Sequence, residues 1–262
     1  GRTFTRSFDR DSKAMKYILA LLMFLMTSNA ESAVQSSRLY DGVNDELDSG
    51  NVADTSTGNR TVCGWFKTTE DASADALVGK KNNILAATAG YMISQDTSDV
   101  VTFSAGDGTD SIFSTATTDI DGAWHMVCAS WIASTETTTI YVDGTQEDQD
   151  TGGGAIDSLT NAVNFTSGQD GANGNDADMI AAWVTSAANS WTAMEINEIR
   201  WHPEGRVATA GPGTTTFIIP AWTGASPEIS IENSAFGATA TGAAANGDGP
   251  PIMLGALGGA DF

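Results

Sequence analysis

Histidine and cysteine are almost missing from this chain of 262 residues, with two of each. A zinc centre needs three or four such ligands, so no Cys/His zinc cluster can be assembled from them. Basic residues are scarce as well. Lys and Arg number 12 against 33 Asp and Glu, for a formal net charge of -21. A surface that neutralises phosphates is basic, so nucleic acid is excluded as a partner. The same acidity suits an exported protein and would suit a bound cation. Charged residues are only 17% of the chain, and Gly, Ala, Ser and Thr take their place, which points to short strands joined by many turns. No P-loop, nucleophile elbow or HExxH string occurs.

What is present begins with a leader. From Met15 the chain reads "MKYILALLMFLMTSNAESA", with Lys16 as its positive end and an apolar run from Tyr17 to Met26. That run is too short to span a bilayer. Ser28-Asn29-Ala30 is a small-x-small cleavage site, so residues 15–30 read as a signal peptide cut after Ala30. No cysteine stands at the cleavage site just after the apolar run, which argues against a lipoprotein anchor. Residues 1–14 precede the expected start methionine and read as a non-native upstream extension without a fold pattern. The leader is net basic, so the mature chain is more acidic still. No later segment is long and apolar enough to cross a membrane, so no stable membrane insertion is expected after cleavage. The expected compartment is extracellular.

Strand-like segments follow at short spacing: 37–42, 60–68, 76–80, 90–96, 99–106, 111–115, 123–131 and 137–144, with further candidates at 162–168 and 179–185. Thr, Val, Ile and aromatics dominate them, and Gly, Asp, Asn and Ser separate them. One short helix stands out near residues 192–200. Thr192 precedes Glu195 by three, a capping box, and Ile196 and Ile199 share a face. Pro203 stops it. The expected fold is all-β, a two-sheet antiparallel jelly-roll sandwich carrying this one helix. Residues 34–205 form the jelly roll. Residues 206–262 read as a linker, one or two extra strands (at 215–222 and 228–232) and a loosely ordered Gly/Ala-rich tail.

The order of "YDGVNDELDSG", "RTVCGWFKT", "WHMVCASW", "TTTIYVDG" and "TAMEINEIRWHP" resembles the laminin-G-like and pentraxin-like branch of the concanavalin A-like lectin/glucanase superfamily. "AWTGASPEISIEN" resembles a C-terminal piece found in such proteins of marine microbes and their phages. The resemblance implies two antiparallel sheets curved over each other, and ligand binding without catalysis in most members. It also implies rim calcium in some members and an acidic hydrolase motif in others.

Cys63 and Cys128 are the only cysteines, in a chain with an export signal. In an oxidising compartment they most simply pair, the alternative being two buried free thiols. Pentraxins, which the flanking residues resemble, bond cysteines in the two matching strands. His125 and Cys128 make an H-x-x-C string, but in a strand an odd spacing sends side chains to opposite faces. His125 is therefore expected to be a packing or rim residue, and His202, just before Pro203, a structural one.

A glucanase site would need two carboxylates across a cleft. The nearest string, Glu195 to Ile199, lacks the central Asp and lies on the capped helix, so no catalytic residues are assigned. Asp170, Asp176 and Asp178 sit in the Gly-rich stretch "GQDGANGNDAD", and oxygen ligands in a flexible loop are what calcium prefers. These three are the expected Ca²⁺ ligands; the matching pentraxin stretch carries calcium ligands too. The second ligand pair that pentraxins use falls near "LAATAG" here, where Asn82 and Asn83 are neutral. Of the seven tryptophans, Trp65 and Trp124 are expected to pack in the core, and Trp191 and Trp201 to pin the helix. No ligand-binding residue is identified. The sequons at Asn59 and Asn164 matter only in a eukaryotic secretory pathway.

The expected function is a secreted recognition module, not an enzyme, that binds a glycan or surface polymer as a lectin or adhesion domain. A structural, self-assembling surface or virion protein is the alternative, with a homo-oligomer as its form. A glycoside hydrolase is the weaker third.

Overall fold

The structure, a computed structural model of the chain, describes residues 37–55, 57–69, 74–83, 87–152, 156–169, 178–187, 189–201, 217–220, 228–229, 237–241 and 244–246. Its strands are β1 (Ser37–Asp41), β2 (Glu46–Asp48), β3 (Arg60–Thr68), β4 (Asp75–Lys81), β5 (Gly90–Gln95), β6 (Val100–Gly106), β7 (Ser111–Asp119) and β8 (His125–Ile132). They continue as β9 (Thr137–Val142), β10 (Thr145–Thr151), β11 (Thr166–Ser167), β12 (Asp178–Ala187), β13 (Phe217–Pro220), β14 (Glu228–Ile229), β15 (Gly237–Thr241) and β16 (Ala244–Asn246). The one helix among the described residues is α1 (Ala193–Trp201).

The strands form two sheets with antiparallel neighbours throughout. The first runs β10-β9-β8-β3-β12-β1-β16, with β13 also on β12; the second runs β14-β15-β2-β11-β4-β5-β6-β7. Alternation decides which residues meet between them. Val62 and Phe66 of β3, Val127, Ala129 and Trp131 of β8, and Ile140 and Val142 of β9 face Val78, Tyr91, Ile93, Val101, Phe103 and Ile112 of the second sheet in one buried cluster. The Phe66 ring folds back over Gly64, where a Cβ would lie 2.2 Å from it, so β3 needs glycine there.

The other face of the first sheet carries α1. Cys63 and Cys128 stand directly opposite each other on β3 and β8 and are disulfide-bonded. With Trp65, Met126, Tyr141 and Trp191 they make the floor on which Ile196 and Ile199 pack. The capping box is formed: Thr192 N–H donates to Glu195 Oε2 at 2.7 Å, and Glu195 N–H to Thr192 Oγ1 at 3.4 Å. The two-sheet sandwich with one helix is the architecture expected from the sequence.

Several elements differ from that reading. The segment 162–168 contributes only the two-residue β11; around it, Asn161 and Asn164 bond through their side chains to Lys80, Ala89 and Asp48. Strand β10 was not anticipated. The Gly/Ala-rich stretch holds β15 and β16, which pair with β2 and β1. Backbone hydrogen bonds to those waiting edges supply an order that composition does not reveal.

Candidate functional site

One end of the second sheet opens into a cavity of about 710 Å³, built from short elements that converge there. Strand β2 brings Glu46 and Asp48, two residues apart and therefore on one face. The C-terminal end of β4 leads into Asn82, and the approach to β5 supplies Thr88. The segment around β11 adds Asn161, Asn164, Thr166 and Gln169.

These side chains are held by the backbone around them. Asn161 donates from Nδ2 to the carbonyls of Lys80 (2.9 Å) and Ala89 (2.6 Å), and its Oδ1 accepts from Val163 N–H at 2.9 Å. Gly90 lets it approach: φ is +123° there, and a Cβ would fall 2.4 Å from Asn161 Nδ2. Asp48 accepts from Gly50 N–H at 2.7 Å and from Asn164 Nδ2 at 2.9 Å. Thr166 Oγ1 donates to the Gln169 carbonyl at 2.6 Å. The lining carries no aromatic ring. It offers amides, carboxylates and hydroxyls, groups able to donate hydrogen bonds to hydroxyls or accept them.

A second cavity, about 510 Å³, lies beside Trp131, Asn59 and Asp157. Trp131 is itself only 2% exposed, so it offers little ring face to a ligand.

Of the residues singled out from the sequence, Cys63 and Cys128 are joined under α1. Asp170 and Asp176 lie outside the described residues, as do His202 and Trp222. Asp178 opens β12 opposite Asp41. Among the described residues, no three His, Cys, Asp or Glu are grouped to hold a metal, and no helix is long and apolar enough to cross a membrane. Trp65 and Trp191 are buried in the floor of the helix.

His125 and Cys128 do face opposite ways. Cys128 joins the helix side, while His125 sits at the rim with Nδ1 2.9 Å from Asp143 Oδ2. Asp143 also accepts from Met126 N–H at 3.1 Å and pairs with Arg200 of α1 at 3.1 Å. Burial alone would raise the Asp143 carboxyl, but the His125 and Met126 hydrogen bonds and the Arg200 charge hold it below its ordinary value.

The family model described as "Concanavalin A-like lectin/glucanases superfamily" matches residues 41–184. This chain belongs to that superfamily. Among solved structures, a candidate carbohydrate-binding protein from Bacteroides ovatus superposes with a TM-score of 0.64 at 10% identity. The match covers 85% of this chain and 62% of that one, so this superfamily member spans less than two thirds of the Bacteroides protein. A heptameric SAP-like pentraxin from Limulus polyphemus superposes with a TM-score of 0.56 at 9% identity, covering 84% of this chain and 98% of that one. At these identities the likeness is one of fold. No curated protein matches the sequence.

The cavity residues were not identified from the sequence, apart from Asn82 as a neutral counterpart of a pentraxin ligand. Their signal was weak: amides and carboxylates spread over three segments more than a hundred residues apart in places, as for Asn164 and Asp48 at a separation of 116. Both sequon asparagines are already engaged. Asn164 Nδ2 donates to Asp48, and Asn59 Nδ2 to Ser190 Oγ at 3.3 Å.

Proposed function

We propose that this chain is an exported, non-catalytic lectin-like module that binds a neutral glycan in the cavity between β2, the end of β4 and the β11 segment. The observation that carries this reading is the cavity's lining. Amides and carboxylates converge on a space of ligand size, beside Ala89, Ala162 and Val163 and without an aromatic ring. Glu46 and Asp48, in a chain of net charge -21, disfavour anionic sugars. The carbohydrate binding assigned to the Bacteroides protein, and the lectin-like family, agree with it. The disulfide suits an oxidising compartment, and so supports export.

Hydrolysis fits less well. Glu195 is bound into the capping box, and both Asp48 oxygens accept hydrogen bonds. A retaining or inverting glycosidase needs one carboxyl kept free to donate a proton.

Calcium on Asp170, Asp176 and Asp178 belongs to the same reading, because Asp170 follows the cavity residue Gln169 in the chain. A native-state ligand must stabilise. Millimolar calcium added to chelated protein should therefore raise the melting temperature; an unchanged value removes calcium from the proposal.

The direct experiment is a glycan array with and without chelator, repeated with Glu46→Gln and Gln169→Ala. Loss of one hydrogen bond to the ligand corresponds to roughly a tenfold weaker affinity. No retained glycan, or variants that bind as tightly as the parent, would overturn the assignment.

A further inference from the structure

Lys80 is fully buried. It pairs across β4–β5 with Tyr91, a core residue, so its side chain runs inward. Its Nζ lies 2.5 Å from Asn51 Oδ1, donates to the Val163 carbonyl, and sits 3.5 Å from Asp54 Oδ1. Asn51 and Asp54 belong to the loop between β2 and β3. That loop is held in place: Tyr91 Oη donates to the Ala53 carbonyl at 2.9 Å, and Arg60 Nη2 donates to the Asp54 carbonyl at 2.6 Å. Arg60 in turn lies over the Tyr91 ring at 6.0 Å. An amine, a primary carboxamide and a carboxylate are thus fixed together at one spot.

We propose that Lys80 and Asn51 become joined by an intramolecular isopeptide bond, with Asp54 as the proton carrier. Neutral Nζ attacks Asn51 Cγ and a C–N bond forms. The Cγ–Nδ2 bond breaks, and Nδ2 leaves as ammonia. Asp54 takes a proton from Nζ and passes it to the departing nitrogen, so its carboxylate ends unchanged. Nothing is oxidised or reduced, and no co-reactant is needed.

Three physical conditions favour the step. The contact to Oδ1 leaves Cγ at most about 1.2 Å further away, one carbonyl bond, so the reacting atoms are near attack distance. Burial lowers the Lys80 pKa despite the opposing pull of Asp54, which enlarges the reactive neutral fraction. Finally, a buried ammonium is costly to desolvate, and the product amide carries no charge. The bond would tie the end of β4 to the loop after β2, stapling the second sheet as the disulfide staples the first.

The alternative is an ordinary buried ion pair, and mass separates the two. The full chain is purified folded, then reduced, denatured, weighed intact and mapped by peptide sequencing. The proposal expects a mass lower than the sequence mass by one ammonia, and a branched peptide joining Asn51 to Lys80. Lys80→Arg, which keeps the charge, and Asn51→Ala, in an exposed loop position, should each have their full sequence mass; the second serves if the first fails to fold. Asp54→Asn should convert at least tenfold more slowly. Full mass in the parent, with the two peptides recovered separately, overturns the bond. So does an ammonia loss without a branch, as a succinimide at Asn246-Gly247 would give. Unchanged conversion in Asp54→Asn overturns the role given to Asp54.

Discussion

A half-buried and a fully buried charge in this sandwich have opposite pH signatures. Asp143 lies in the two-residue turn between β9 and β10, where it and Gly144 have φ of 51° and 79°. Both are left-handed, as a type I′ hairpin requires, and Asn is tolerated there while Ala is not. Asp143→Asn therefore isolates the charge. The folded carboxyl is held below its ordinary value, so its contribution is complete above the unfolded pKa and is lost as pH falls through the folded one. Urea titrations should show the variant weaker by about 2 kcal/mol at pH 7, with the gap closing in acid below about pH 4. Lys81 is the converse. It is fully buried, donates to Ser104 Oγ at 3.0 Å, and burial pushes its ammonium down to about 8. Between that value and its ordinary one the unfolded chain binds the proton and the folded chain does not, so stability rises with pH across the window. Lys81→Met should stabilise the protein at pH 7 by on the order of 2 kcal/mol, after allowing for the lost Ser104 bond. Denaturant melts from pH 7 to about 10.5 should show that gain shrinking above pH 8; a gain that grows with pH would contradict the assignment.

At the level of elements, β10 shows how a strand can be hidden in a sequence. "TQEDQDT" has neither β-branched enrichment nor alternation, and reads as a polar turn. It forms because its carboxylates close the seam between sheets. A bulge between Gln146 and Asp148 leaves Glu147 as the extra residue, so that both acids reach the free edge of β7. Glu147 accepts from the N–H groups of Thr117 (2.7 Å) and Thr118 (2.9 Å), and Asp148 Oδ2 from Thr115 N–H at 2.9 Å. Those donors would otherwise mark an open edge, the usual start of aggregation. Burial opposes ionisation of Glu147, but the Thr117 and Thr118 hydrogen bonds outweigh it and lower its pKa. Glu147→Ala should cost about 1–2 kcal/mol, part of the loss being made good by water, and should raise concentration-dependent association in light scattering. Glu147→Gln keeps an acceptor and should lie between. An Ala variant that associates no more than the parent would remove the edge-capping role. The strands that were legible, such as β3 and β8, bury one or both faces and so write their position into the sequence. β10 answers to a partner strand and β15 to a waiting edge, and neither partner is visible locally.

For the molecule as a whole, the sandwich was readable because two packed sheets impose alternation on most of the chain. The cavity was not, because its residues come from loops whose convergence only the folded topology decides. The cysteines fall on the readable side, and their bond has a consequence larger than its own energy. They close a loop of 65 residues, which corresponds to roughly 4 kcal/mol of chain entropy. Yet they lie outside the main core, on the face under α1. The inter-sheet cluster does not touch them, and β3 and β8 remain paired through seven registered residues from Arg60 to Phe66. Removing the bond by Cys63→Ala with Cys128→Ala should therefore leave the sandwich folded but less stable by about 2–4 kcal/mol. The loss should not be uniform. Two buried sulfurs vanish from the floor beneath Ile196 and Ile199, which leaves α1 on Trp65, Met126, Tyr141 and Trp191 and on the Arg200 pair with Asp143. A nine-residue helix is too short to persist without packing. Hydrogen exchange should show α1 opening well before the strands of the second sheet in the double variant. If helix and sheets exchange together, as one cooperative unit, the disulfide acts on the unfolded chain alone and not on the helix seat.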